Sequence, residues 1–146
     1  FEAAPADNGS DTITGFSLGS DTALADVISF ADLDASTLRG AGTAIETLAS
    51  GDALGTDTGF VTFTTALSSL SAADLADAAE TLIGENSGDV FYMLASDGTD
   101  AALVEITFSG TDAATADVMA TFTGMDDVSG ITADNILHVD PTGTAL

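Results

Sequence analysis

The tripeptide Gly-Ser/Thr-Asp occurs five times in this 146-residue chain and marks where the chain can turn. Each copy places a conformationally free glycine beside a hydroxyl and a carboxylate, a combination that forms tight turns. The same oxygen atoms are the ligands that a hard cation such as Ca²⁺ prefers. Each copy therefore predicts a turn, and cation binding is the second interpretation. The copies are Gly9-Ser10-Asp11, Gly19-Ser20-Asp21, Gly55-Thr56-Asp57, Gly98-Thr99-Asp100 and Gly110-Thr111-Asp112.

The charge balance of the chain is one-sided. There are 24 acidic residues and a single basic residue, Arg39, which gives a formal net charge of −23. Such charge favours disorder only when hydrophobicity is low, but 45% of the residues are hydrophobic, so we expect a folded core. The lack of a basic surface excludes nucleic acid and anionic membranes as partners. Repulsion among the carboxylates has to be relieved by salt or by bound cations.

The pattern along the chain predicts one domain, 1–146, that is mainly β, a β-sandwich or β-roll with one short α-helix. Residues 7–30 alternate turn and short strand at a period of ten. Residues 59–84 show a strand followed by a helix, and residues 90–139 show apolar strands separated by polar turns, which is typical of a β-meander.

The helix, expected over about 71–83, has the most specific local signals. Ser71 is a good N-cap, and Asp74 follows where the positive end of the helix dipole favours a carboxylate. An apolar stripe and the stop residue Gly84 complete the pattern. The stripe consists of Leu75, Ala78, Ala79, Leu82 and Ile83. By contrast, residues 44–49 fit a helix and a strand about equally well.

The residue inventory argues against an enzyme. The chain has no cysteine, no tryptophan, one tyrosine and one histidine, His138. It also lacks the Gly-x-Ser-x-Gly elbow that presents a nucleophilic serine. A carbohydrate-cleaving cleft usually pairs its two carboxylates with aromatic side chains, which are scarce here. We therefore expect a non-enzymatic protein with no catalytic residues.

Five aspartates are the candidate metal ligands, with calcium as the candidate cofactor. Asp97 and Asp100 can meet within one turn, Asp11 and Asp21 can meet if neighbouring strands stack, and Asp112 lies in the fifth tripeptide. Calcium takes six to eight oxygens, more than one tripeptide supplies. Ordinary turn capping therefore stays open as the alternative for each copy.

Three segments carry a resemblance to a known family. The stretch Asp11–Asp21, with Ile13, Phe16 and Leu18 between its aspartates, resembles the closing repeat of RTX-type secreted proteins. Residues 90–106 are similar to the hairpin near the C-termini of such proteins, and residues 121–137 look like their usual ending. The tandem Gly-Gly-x-Gly-x-Asp repeat of the family is absent, so Gly9-Ser10-Asp11 is at most its final remnant.

The resemblance implies an RTX-type C-terminal domain, closest to surface-layer and adhesin members. It implies export by the type I secretion machinery and calcium-dependent folding outside the cell. We expect an extracellular, cell-surface structural module that forms a homo-oligomer or filament through β-strand or calcium-bridged contacts, without membrane insertion. The alternative is the secretion and folding domain of a type I secreted enzyme whose catalytic part lies upstream.

Overall fold

A computed structural model describes residues 11–18, 26–30, 37–40, 42 and 44–138 and shows a mainly β protein with one short helix. This confirms the predicted fold class. The strands are β1 (Asp11–Thr14), β2 (Ile28–Phe30), β3 (Ala44–Leu48), β4 (Thr58–Phe63), β5 (Val90–Ser96), β6 (Ala101–Gly110), β7 (Ala113–Thr123) and β8 (Ile136–His138). The helix α1 (Ala72–Ala79) lies between β4 and β5, and a 3-10 turn over Ala133–Asn135 precedes β8.

Six of the strands form a mixed sheet in the order β1-β7-β6-β5-β4-β3. Strands β5, β6 and β7 are antiparallel neighbours in chain order, while β3, β4 and β5 are parallel, as are β1 and β7. The meander expected over 90–139 corresponds to β5, β6 and β7 only. Strand β8 leaves it and pairs in parallel with β2 in a separate two-stranded sheet.

Apolar cores cover both faces of the large sheet. On one side, which we call the small-sheet face, Phe30 stacks on Tyr92 with ring centroids 4.3 Å apart. On the opposite side, which we call the helix face, Phe91 and Met93 pack in one cluster with Leu75 of α1. Burial on both faces explains why the sequence of β5 is almost continuously apolar. The layered arrangement is consistent with a sandwich-like class.

Helix α1 begins where the sequence predicts and ends earlier. The Oγ of Ser71 accepts the backbone N–H of Asp74 at 3.2 Å, which confirms the N-cap. The helix ends at Ala79, not near residue 83. Ile83 instead donates to the Asp52 carbonyl and accepts from the Leu54 N–H, so an extended bridge replaces the last helical turn.

Residues 44–48 of the ambiguous segment 44–49 form strand β3, which pairs in parallel with β4. Ile45 packs against the core of the small-sheet face, and Leu48 packs against the core of the helix face. Residues three positions apart point to opposite faces of a strand but to the same face of a helix. A strand therefore buries both side chains, which explains why this segment is not helical. Across the described part of the chain, no helix has the length and apolar character needed to cross a membrane.

Candidate cation-binding turns

Asp97 and Asp100 both lie in the turn between β5 and β6, and their use as shared metal ligands stays a prediction. The Oδ1 of Asp97 accepts the N–H groups of Thr99 at 2.9 Å and Asp100 at 3.0 Å. The Oδ1 of Asp100 accepts the N–H of Gly124, which follows β7, at 2.7 Å. One oxygen of each carboxylate therefore stabilises the turn itself, which is the capping role that the sequence left open.

The expected pair Asp11 and Asp21 is only half described. Asp11 is the first residue of β1, directly opposite Ala120 of β7, and its side chain is exposed. It thus lies in a strand and not in the turn that its tripeptide predicts. Asp21 lies outside the described residues, so the pairing of these two aspartates stays a prediction.

Asp112 occupies the tight turn between β6 and β7. It is the one non-glycine residue in the described ranges with a positive φ, 49°. Its N–H donates to the Oε1 of Glu85 at 3.4 Å, and its carboxyl group lies against the same glutamate. Hydrogen bonding to Glu85 raises the pKa of Asp112, and desolvation and the negative charges of Glu85 and Glu80 raise it further.

The two glutamates that follow α1 hold this turn, and sequence reasoning missed both. Glu85 is 6% exposed, and its Oε2 has no hydrogen-bond partner among the described residues. Glu80 accepts the N–H of Ala114 through Oε1 at 2.8 Å. They reach across 27 and 34 residues of sequence respectively, and no short motif signals such a separation.

The tripeptide Gly55-Thr56-Asp57 is held in place by a carboxylate from outside the tripeptide, that of Glu46. The Oε2 of Glu46 on β3 accepts the N–H of Gly55 at 3.0 Å and the hydroxyl of buried Thr58 at 2.5 Å. Thr56 contributes a long hydroxyl contact of 3.5 Å to Asp57. This copy therefore acts as a loop anchor between β3 and β4.

The single basic residue of the chain is used inside the protein. The guanidinium group of Arg39 donates to the carbonyls of Gly55 and Gly84, both at 2.7 Å, and forms an ion pair with Asp89. The Arg39 side chain is only 10% exposed. These contacts join separate segments of the chain. They also occupy the guanidinium group, which makes no contact with the other acidic groups described above.

A second contact between acidic groups lies on the small-sheet face. Glu105 of β6 is directly opposite Tyr92 of β5 and Asp117 of β7. Burial raises the pKa of Glu105, the charge of Asp117 raises it further, and a hydrogen bond from the Tyr92 hydroxyl partly offsets this. The pKa of Tyr92 is also raised, mainly by burial and further by the negative charge of Glu105 and the hydrogen bond to it. Like charges directly opposite each other on neighbouring strands are destabilising.

Metal-ligand geometry is limited within the described ranges. There, no three side chains among His, Asp and Glu are grouped so that they could hold a metal ion. Any cation site in this part of the chain has to rely on two carboxylates, with backbone oxygens or water completing the shell.

Searches against protein-family models, curated proteins and solved structures find no match for this chain. The functional argument therefore depends on the charges and contacts described above.

Proposed function

We propose that this protein is a non-enzymatic extracellular structural module whose folding and assembly depend on calcium. The observation that carries the proposal is the uncompensated negative charge. The formal net charge is −23, and the only Arg or Lys side chain, Arg39, is already bound to Asp89 and to backbone carbonyls. Compensation for the remaining carboxylates has to come from outside the chain.

Two contacts between acidic groups are places where this negative charge opposes folding. Glu85 meets Asp112 at the β6–β7 turn, and Glu105 meets Asp117 across two strands. Each contact is unfavourable while both partners are ionised, because like charges at close range disfavour the charged forms. Calcium relieves such repulsion with two charges per ion, and extracellular modules bind it at about 10⁻⁴ to 10⁻³ M. This supports calcium as the cofactor.

Assembly through β-strands is supported by the direction of the two edge strands. Strand β1 is parallel to β7, and the two antiparallel steps through β6 make β7 parallel to β5. Strands β4 and β3 continue in that direction. Both edges of the six-stranded sheet therefore run the same way, so β1 of one copy can lie parallel to β3 of the next. Such a head-to-tail contact repeats into an open filament.

The RTX-like residues support the remaining parts of the proposal, which are export by type I secretion machinery and placement at the cell surface. The carboxylates that would share calcium in this proposal are those of Asp11, Asp21, Asp97, Asp100 and Asp112.

Assembly in defined ionic conditions tests this function. We expect purified protein to form filaments or sheets, visible by negative-stain electron microscopy, in millimolar calcium. We expect monomers after addition of a chelator, and also in sodium chloride of equal ionic strength. Monomers under all three conditions would overturn the assembly proposal.

A further inference from the structure

Two acidic side chains from the end of α1 and the segment after it bind backbone N–H groups at the turn between β6 and β7. Glu80, the C-cap of α1, binds the N–H of Ala114, and Glu85 binds the N–H of Asp112. The carboxyl group of Asp112 completes the set by lying against Glu85. Three carboxylates thus surround one turn, close to the negative end of the α1 dipole.

One oxygen of the Glu85 carboxylate lacks a hydrogen-bond partner among the described residues. Its side chain is more than nine-tenths buried, Oε1 has a long hydrogen bond of 3.4 Å, and Oε2 has none among the described residues. Burying an ionised carboxylate without compensating hydrogen bonds or an opposite charge is costly. A second carboxylate in contact increases that cost. A positive group between the two carboxylates offsets this cost, and the exposed side chain of Asp112 leaves the pair open to ions from solution.

No Lys or Arg side chain supplies that positive group. Arg39 is the only Lys or Arg residue, and its guanidinium group binds Asp89. The remaining choices are a proton shared by the two carboxyl groups or a cation from solution. A calcium ion neutralises both carboxylates at once, tolerates irregular coordination and accepts water or backbone oxygens as further ligands. Magnesium is less suitable because it requires near-ideal octahedral geometry.

We propose that Glu85 and Asp112 together bind one calcium ion, and that this ion fastens the β6–β7 turn to the end of α1. The proposal rests on the proposed calcium dependence and assigns it to a site that includes Glu85, a residue outside the Gly-Ser/Thr-Asp tripeptides. Glu80 adds negative charge nearby, while its own Oε1 stays on Ala114.

Calcium titration by isothermal calorimetry, at neutral pH and low salt, tests the site with two variants and a control. Asp112→Asn removes a charge at a positive-φ position that Asn tolerates well, so the variant should fold. Glu85→Gln keeps the shape of the side chain. Asp134→Asn, the control, also removes one charge, but it lies exposed in the 3-10 turn before β8 and in none of the acidic contacts described above.

We expect both site variants to lose one bound calcium or to bind it at least tenfold more weakly, while Asp134→Asn binds as the wild type does. If the wild type binds calcium and the site variants bind it equally well, the site is wrong but the proposed function stands. If the wild type binds no calcium, both fail.

The side-chain carboxyl ¹³C resonance of Asp112 separates the ion from a shared proton. We expect calcium to shift it in the wild type and not in Glu85→Gln. A resonance that responds to pH but not to calcium would assign the contact to a proton and overturn the site.

Discussion

Arg39 shows how much structure one residue can organise in this chain. Its guanidinium group donates to two loop carbonyls and to Asp89, while its backbone N–H donates to the Val90 carbonyl at 2.8 Å. Asp89 in turn accepts the N–H of Asn86 at 2.7 Å. The planar donors of arginine match this set in a way that the point charge of lysine cannot.

We expect Arg39→Gln to lower the free energy of unfolding by about 3 kcal/mol, because it leaves the Asp89 carboxylate largely buried without its ion partner. Urea-induced unfolding followed by circular dichroism measures the change. Arg39→Lys should recover only part of the loss. Introduced into the Asp89→Asn variant, Arg39→Gln should lower the free energy of unfolding by less than it does in the wild type. Additive losses would show that the ion pair is not the cause.

Glu105 is a residue whose charge works against folding at neutral pH. Because its pKa is raised in the folded protein, the folded state holds the proton more tightly than the unfolded state does. Its contribution is therefore least unfavourable below the ordinary carboxyl range, and stability is lost as pH rises from that range through the folded pKa.

We expect Glu105→Gln to be more stable than the wild type at neutral pH by about 0.5–1 kcal/mol, the scale of a like-charge cross-strand pair. The Gln carbonyl can still accept the Tyr92 hydroxyl. The difference should disappear at acidic pH, where Glu105 is protonated in both states. Urea titrations at both pH values measure this, and a variant less stable at neutral pH would contradict the explanation.

The residues that the sequence could not connect are those that meet across long separations. The turn aspartates were recognisable because their chemistry is local: Asp97 caps residues two and three positions further along. Glu85 was not recognisable, since its role depends on Asp112, 27 residues away. A sequence records that both residues are acidic but not that the fold places them in contact.

At the scale of elements, the start of helix α1 was more predictable from the sequence than its end. The N-cap Ser71 is a local signal and marks the start of α1 correctly. The end depends on Ile83, which pairs with residues 52–54 through a bridge that only the fold creates. Strand β8 shows the same limit, because its partner β2 lies at the other end of the chain.

We expect Ser71→Ala to lower the free energy of unfolding by about 1 kcal/mol, since it removes the hydroxyl that accepts the Asp74 N–H. Thermal or urea unfolding measures the loss. Ser71→Thr keeps the acceptor and should lie much closer to the wild type. An equal loss in both variants would mean that the cap contributes little and that packing at this position dominates.

At the scale of the whole molecule, the fold combines a well-buried β core with an unusually acidic composition. Apolar packing on both faces of the sheet supplies the driving force for folding. The formal charge of −23 opposes it, and that opposition depends on the ions in solution. The sequence predicted both properties, since composition and strand pattern are sufficient to see them. The mixed order of the strands was not predictable, because it depends on pairings between distant segments.

Thermal unfolding of the wild type in calcium and in sodium chloride at equal ionic strength tests the central claim most directly. Specific binding at calcium tenfold above Kd adds about 1.4 kcal/mol, which raises the Tm of a chain of this size by roughly 3–5 °C beyond the effect of screening. We predict that rise, and its reversal by a chelator. Equal Tm values in the two solutions would contradict the account, because they would show that screening alone compensates the charge.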